Sequence, residues 1–187
     1  MKYKIHRKKS VITINNGSNT FYFRFDQQIL KVVPNRKYPL LAVFTTTVKE
    51  SELPSHKVLA VEKLYFIDMK NQLRVQFEPD GKLYFSDWYF NLWSPNGKWV
   101  ILQQDHYGPY HIVKSKKLFK YLYEKGTPRE TPNNFKPAQV HNFTGWERNH
   151  IIRFTGSCCG DETLYHYNIQ TEKLTKIRTK KVHDSKW

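Results

Sequence analysis

The chain is poor in cysteine, in long apolar runs, in helical patterning and in acid. Only two of its 187 residues are cysteines, and they are neighbours, Cys158 and Cys159. Adjacent thiols rarely bond each other, because the small ring strains the peptide, so the cysteines supply no disulfide framework. The longest apolar stretches, such as residues 40–44, fall far short of the roughly 20 residues that a helix needs to span a bilayer. Residues 1–10 are basic like the start of a signal peptide, but residues 11–19 are too polar to be its apolar centre. Membrane insertion is therefore not expected, and the cytoplasm is the favoured compartment unless an export signal has been removed.

Acid is scarce relative to base: 16 acidic residues face 31 basic ones, a formal charge of +15. The excess gathers near the ends. Lys2, Lys4, Arg7, Lys8 and Lys9 come with no acid, and Lys173, Lys176, Arg178, Lys180, Lys181 and Lys186 come with Asp184 alone. Such a balance invites an acidic protein or a nucleic acid as partner. The ends read as a basic arm over residues 1–9 and a basic tail over residues 179–187, flanking one domain over residues 10–178. Lys114, Lys116, Lys117 and Lys120 form a further basic cluster, expected on a hairpin turn.

What the chain has in quantity is aromatic residues, 12 Tyr, 12 Phe and 5 Trp, enough apolar area for a sizeable core. They fall in short runs with the period of two that a half-buried strand shows. Phe21, Phe23 and Phe25 alternate with Tyr22 and Arg24. Strands are expected at 11–14, 20–25, 29–33, 40–48, 58–67, 73–77, 83–93, 99–104, 110–114, 151–155, 163–169 and 174–177. Asp80-Gly81 and Asn96-Gly97 mark tight turns, because Asn and Gly tolerate the positive φ such turns require. Residues 115–124 have a helix-like spacing of Leu118, Phe119, Leu122 and Tyr123 but are read as a strand. Residues 124–142, rich in Pro and Asn, read as a long loop.

The middle and the last third resemble each other. Trp93 and Trp146 lie 53 residues apart, as do the returning strands that start at Tyr110 and Thr163. The run Trp93-Ser94-Pro95-Asn96-Gly97-Lys98-Trp99-Val100 resembles the signature of TolB-type, WD40-like β-propeller blades. The run from Tyr165 to Leu174 is similar to the ending of such blades. The resemblance implies an all-β fold of antiparallel meanders, a small or incomplete β-propeller, and says nothing of a ligand. Roughly three to four blades fit the length, and about four are needed for closure. A β-barrel or a β-sandwich built from the same hairpins is the alternative.

Chemistry-bearing residues are thin. Asp105, His106 and His111 surround one hairpin tip, and Cys158, Cys159, Asp161 and His166 surround the next. A metal or a thiol nucleophile paired with His106 or His166 is conceivable there, but no ligand spacing supports it. No catalytic residue, metal ligand or cofactor is assigned. The expected function is non-enzymatic protein binding, of an inhibitor or immunity type, with an acidic partner held by rim loops. The candidate contacts are Asp105, His106, Tyr107, Tyr110, Lys114, Lys116, Lys117 and Asp161, the tyrosines projecting from a turn. Nucleic-acid or other polyanion binding through the basic ends is the alternative, and a metal or thiol enzyme at the tips a third reading.

Overall fold

The run Leu-Leu-Ala-Val-Phe-Thr-Thr at Leu40–Thr46 is apolar without alternation, the pattern of a strand covered on both faces. All seven residues are buried. This strand, β5, explains the architecture. Its neighbours are β4 (Gln28–Pro34), β6 (Lys63–Asp68) and β7 (Leu73–Phe77), in the antiparallel order β4-β5-β6-β7. Leu40, Ala42 and Phe44 on one face belong to the larger core, and Leu41 and Val43 on the other to a smaller one.

The computed structural model describes residues 3–48, 61–77, 90–103, 110–123, 134–135, 142–158 and 161–181. These form four antiparallel sheets in chain order, none of which closes on itself. The first is β1 (Lys4–Lys8), β2 (Val11–Asn15) and β3 (Thr20–Arg24). The second is the sheet around β5. The third joins β8 (Trp99–Gln103), β9 (Tyr110–Lys114) and the short β10 (Asn134–Phe135). Residues 92–94 run along β8, through a Trp93–Val100 bridge and a Ser94 amide that donates to the Trp99 carbonyl at 2.9 Å. The fourth holds β11 (Asn142–Arg148), β12 (Ile151–Cys158), β13 (Asp161–Asn168) and β14 (Lys173–Lys181).

One backbone bond recurs in all four sheets. Counting residues 92–94 as the leading strand of the third sheet, the amide just after the third strand donates to the carbonyl just before the second: Phe25 to Ser10, Met69 to Pro39, Ser115 to Lys98 at 2.8 Å and Ile169 to His150 at 2.9 Å. Each sheet is therefore the same meander with different decoration. Trp93 and Trp146 hold equivalent places in it, since each pairs with the second residue of the next strand, Val100 and Ile152.

The sheets are joined by side chains, not by strand pairing. The smaller core sits between the first and second sheets, where Ile12 and Ile14 meet Leu41, Val43 and Ile67, and Phe25 stands edge-on to Tyr65 with ring centres 5.0 Å apart. The larger core runs through the second, third and fourth. Phe44 meets Phe90 edge-on at 4.9 Å, and Tyr110 meets Phe154 at 5.0 Å. Edge-on pairs add about 0.5–1.5 kcal/mol each beyond the area they bury.

Several expectations need correction. Residues 115–123 are helical, a 3-10 turn at Ser115–Lys117 leading into α1 at Leu118–Tyr123. The straight-chain Lys and Leu residues favour a helix, and Leu118 is fully buried with Phe119, Tyr121 and Leu122 beside it. Lys116, Lys117 and Lys120 of the basic cluster therefore lie on this helical segment, with Lys114 closing β9 just before it, and not on a hairpin turn. The N-terminal arm is a strand from Lys4, paired with β2, and the tail boundary at residue 178 falls inside β14. The loop read over residues 124–142 gives way at Asn142 to a strand, β11, which that reading missed. The expected strand at 83–93 falls mostly outside the described residues, as does the start of the one at 58–67.

Candidate functional site

Of the eight residues expected to contact a partner, Asp105, His106 and Tyr107 lie outside the described residues. Tyr110 does not project from a turn. It is 3% exposed, packs on Phe154, and its hydroxyl accepts a hydrogen bond from the Phe143 amide at 3.0 Å. The strand begins at Tyr110, so the residue that closes the expected turn faces the core instead. Lys114, Lys116 and Lys117 are exposed, with the Lys114 ammonium 5.7 Å from the centre of the Trp99 ring. Asp161 opens β13 opposite Cys158, at the far end of its sheet. Tyr110 and Lys114 lie at opposite ends of β9, so the described members of the set do not share one rim. His111 is buried within β9, 5.9 Å from the Tyr121 ring, and His166 sits mid-strand beside Arg153. Among the described residues no group of three metal-ligating side chains occurs, and no helix is long and apolar enough to cross a membrane.

The structure assembles a different site. A cleft of about 500 Å³ opens where the leading strands of the second, third and fourth sheets converge. Val33, Pro34 and Arg36 come from β4 and the loop after it. Residues 90–95, including Phe90, Trp93 and Ser94, supply the middle wall, and β11 supplies Thr144, Gly145 and Trp146, with Arg153 reaching in from β12. Among the described residues, the lining contains two arginines, three large aromatic residues and no carboxylate.

Two bulges in β11 aim this wall. They leave Thr144 and Glu147 as extra residues between Phe143 and Gly145 and between Trp146 and Arg148. Were Thr144 an ordinary paired residue and not a bulge, strand alternation would send Trp146, three positions on, to the opposite face from the buried Phe143. Gly145 has φ +132°, a backbone conformation that favours glycine, and a Cβ there would lie 3.5 Å from Nη2 of Arg153. That is ordinary contact, so it is the positive φ and not lack of room that calls for glycine here.

Hydrogen bonding separates the donors of the cleft into used and unused. The Trp93 indole donates to the Val33 carbonyl at 3.0 Å and ties the second sheet to the third. The Trp146 Nε1 and Arg153 Nε hydrogens are buried and bonded to nothing among the described residues. Among the described residues Arg153 forms a loose ion pair, 3.6 Å from Glu147. A buried donor without a partner costs about 1–3 kcal/mol, so two such donors lining one cleft make it a place where an acceptor would be stabilising. Arg36 at the mouth is exposed, and the Lys31 ammonium lies 4.6 Å from the Phe90 ring centre. The arrangement suits an anionic or acceptor group presented on a flat apolar body.

A second polar cluster is satisfied internally. Lys63 bonds Asp26 at 2.6 Å and the Tyr65 hydroxyl donates to the same carboxylate at 3.3 Å. The Lys63 ammonium holds the Asp26 carboxyl below its usual range, Asp26 in turn holds Lys63 up, and burial raises Tyr65. This cluster clasps the first sheet to the second and leaves no chemistry over.

Sequence reasoning found Trp93 and Trp146 as landmarks of the repeat but not as walls of a cleft. A glycine inside the strand-like run Phe-Thr-Gly-Trp-Glu-Arg was the available signal for the bulge. Compared with known proteins, the chain matches no family model and no curated sequence.

Proposed function

We propose that this protein is a non-enzymatic binding module whose cleft takes an acidic group of a protein partner. The observation that carries the reading is that two buried donors, Trp146 Nε1 and Arg153 Nε, are unbonded among the described residues, in a cleft whose described lining has two arginines and no acid. A carboxylate entering the cleft can accept from Arg153, and an acceptor group of the same segment from Trp146. Such binding regains hydrogen bonds that the empty cleft forgoes, and charge-assisted bonds are about twice as strong as neutral ones. The aromatic walls suit the apolar part of the same segment, as at binding hot spots. The net charge of +15 steers an acidic partner toward the cleft.

The reading also proposes a propeller-like arrangement. Four meanders repeat one register, and the leading strands of three of them line one cleft, which is where the inner strands of propeller blades line a channel. The binding surface is then axial, in place of the hairpin tips.

The test is intrinsic tryptophan fluorescence of the full chain, titrated with short peptides that carry Asp or Glu beside an aromatic residue, and with neutral amide versions of the same peptides. A saturable change with the acidic peptides, weakened about tenfold or more by Arg153→Gln and by Trp146→Phe, supports the reading. Equal responses to acidic and neutral peptides, or an Arg153→Gln variant that binds as the parent does, would remove its basis.

A further inference from the structure

The first sheet carries a second surface, unrelated to the cleft. Its pairings form five rows across β1, β2 and β3. Alternate rows share a face. Ile5, Ile14 and Phe21 form one row and Arg7, Ile12 and Phe23 another, on the side that packs against the second sheet. The other face is made of Lys4, Asn15 and Thr20, then His6, Thr13 and Tyr22, then Lys8, Val11 and Arg24. On it Lys4, His6, Lys8, Tyr22 and Arg24 are exposed. Tyr22 is 68% exposed, the most open of the large apolar side chains among the described residues.

Residues 3–25 contain no Asp or Glu at all. No carboxylate among the described residues pairs with Lys4, Lys8 or Arg24. The next acid along the chain, Asp26, is held by Lys63 at 2.6 Å. The face thus presents three uncompensated cations and a histidine around one open phenol ring, with amide and hydroxyl groups between them.

We infer that this face binds single-stranded nucleic acid. Same-face residues along a strand stand about 7 Å apart, and neighbouring strands about 4.8 Å. Lys4 and Lys8 on β1 therefore form a cationic line at one edge, Arg24 stands at the other, and Tyr22 offers its ring to an unpaired base. Positive charge along a backbone track together with an exposed aromatic platform is what sequence-tolerant single-strand binding requires. Stacking on Tyr22 calls for an unstacked base, which disfavours a duplex. An acidic protein would match the charge and leave the exposed ring without a role. An anionic membrane would favour apolar side chains around Tyr22, where Thr13, Asn15 and Thr20 stand.

The experiment is fluorescence anisotropy of a labelled oligothymidylate of about 12 nucleotides with the full chain, across a salt series. The parent is expected to bind at low salt. Replacing Lys4, Lys8 and Arg24 together by Gln should flatten the log–log salt slope by about 2, from about 0.7 per phosphate contact. Tyr22→Ala should weaken binding about tenfold with the slope kept. All four side chains are exposed, so thermal melting should match the parent and show the variants folded. Arg153→Gln should leave oligonucleotide binding unchanged, which separates this surface from the cleft. Absence of binding at low salt overturns the inference. So does a Tyr22→Ala variant that binds as the parent does. Heparin or phosphatidylserine vesicles that bind the face equally well, with Tyr22→Ala unaffected, would mark it as a general polyanion or membrane surface and also overturn it.

Discussion

Asn35 shows how far one side chain can reach in this fold. It is buried, and its amide nitrogen donates to the Gly97 carbonyl at 2.9 Å, 62 residues away in sequence. Its oxygen accepts from the amides of Lys37 at 2.8 Å and Tyr38 at 2.9 Å. One residue thus closes its own loop and fastens it to the turn that begins the third sheet. That turn leaves no room for a larger residue. Gly97 has φ +68°, and a Cβ there would stand 2.5 Å from the Asn35 Oδ1 and 2.8 Å from the Lys37 nitrogen. Gly97→Ala is therefore expected to cost at least about 2 kcal/mol, from backbone strain and from displacing Asn35. Urea denaturation checks it, and a loss below about 0.5 kcal/mol would show that the loops yield easily. The turn itself was legible, since Asn-Gly between strands predicts positive φ. The clamp was not, because its two halves are joined only once the sheets stack.

At the scale of elements, strands with alternating or continuous apolar patterns were readable, and the sheet class with them. The misread elements share a cause. The helix at Leu118–Tyr123 is only 6 residues long, and its aromatic content looks like a strand when spacing is set aside. Strand β11 was hidden because two bulges break its alternation, and those bulges are what aim Trp146. The N-terminal basic end was visible as charge but not as structure, and the C-terminal one was read as a strand over residues 174–177 alone. They are the edge strands β1 and β14 of different sheets. Lysines along an open edge oppose pairing with another chain. In β14, residues Lys176, Arg178 and Lys180 are exposed, with Ile177 46% exposed among them. Replacing those three by Thr, Val and Thr should turn the edge into a template. Concentration-dependent association is then expected in light scattering, and a variant that stays monomeric at high concentration would deny the charges this role.

For the whole molecule, the second sheet acts as a partition, and its two faces serve different surfaces. Phe44 faces the third sheet and stands edge-on to Phe90, which walls the cleft. Val43, one residue earlier, faces the first sheet and packs among Ile12, Ile14 and Ile67. Both are fully buried. Truncating either leaves a hole that close-packed surroundings fill only in part. Phe44→Ala is expected to cost about 3–5 kcal/mol, and Val43→Ala less because fewer atoms are lost. The division of faces makes a sharper claim than the stability loss. Under conditions where both variants remain folded, Phe44→Ala should loosen the Phe90 wall and weaken acidic-peptide binding while sparing the oligonucleotide. Val43→Ala should leave the cleft intact and disturb only the seat of the first sheet. Running both titrations on both variants tests this directly. Equal damage to the two activities from either substitution would mean that the sheets respond as one body, and that the partition at β5 does not insulate them.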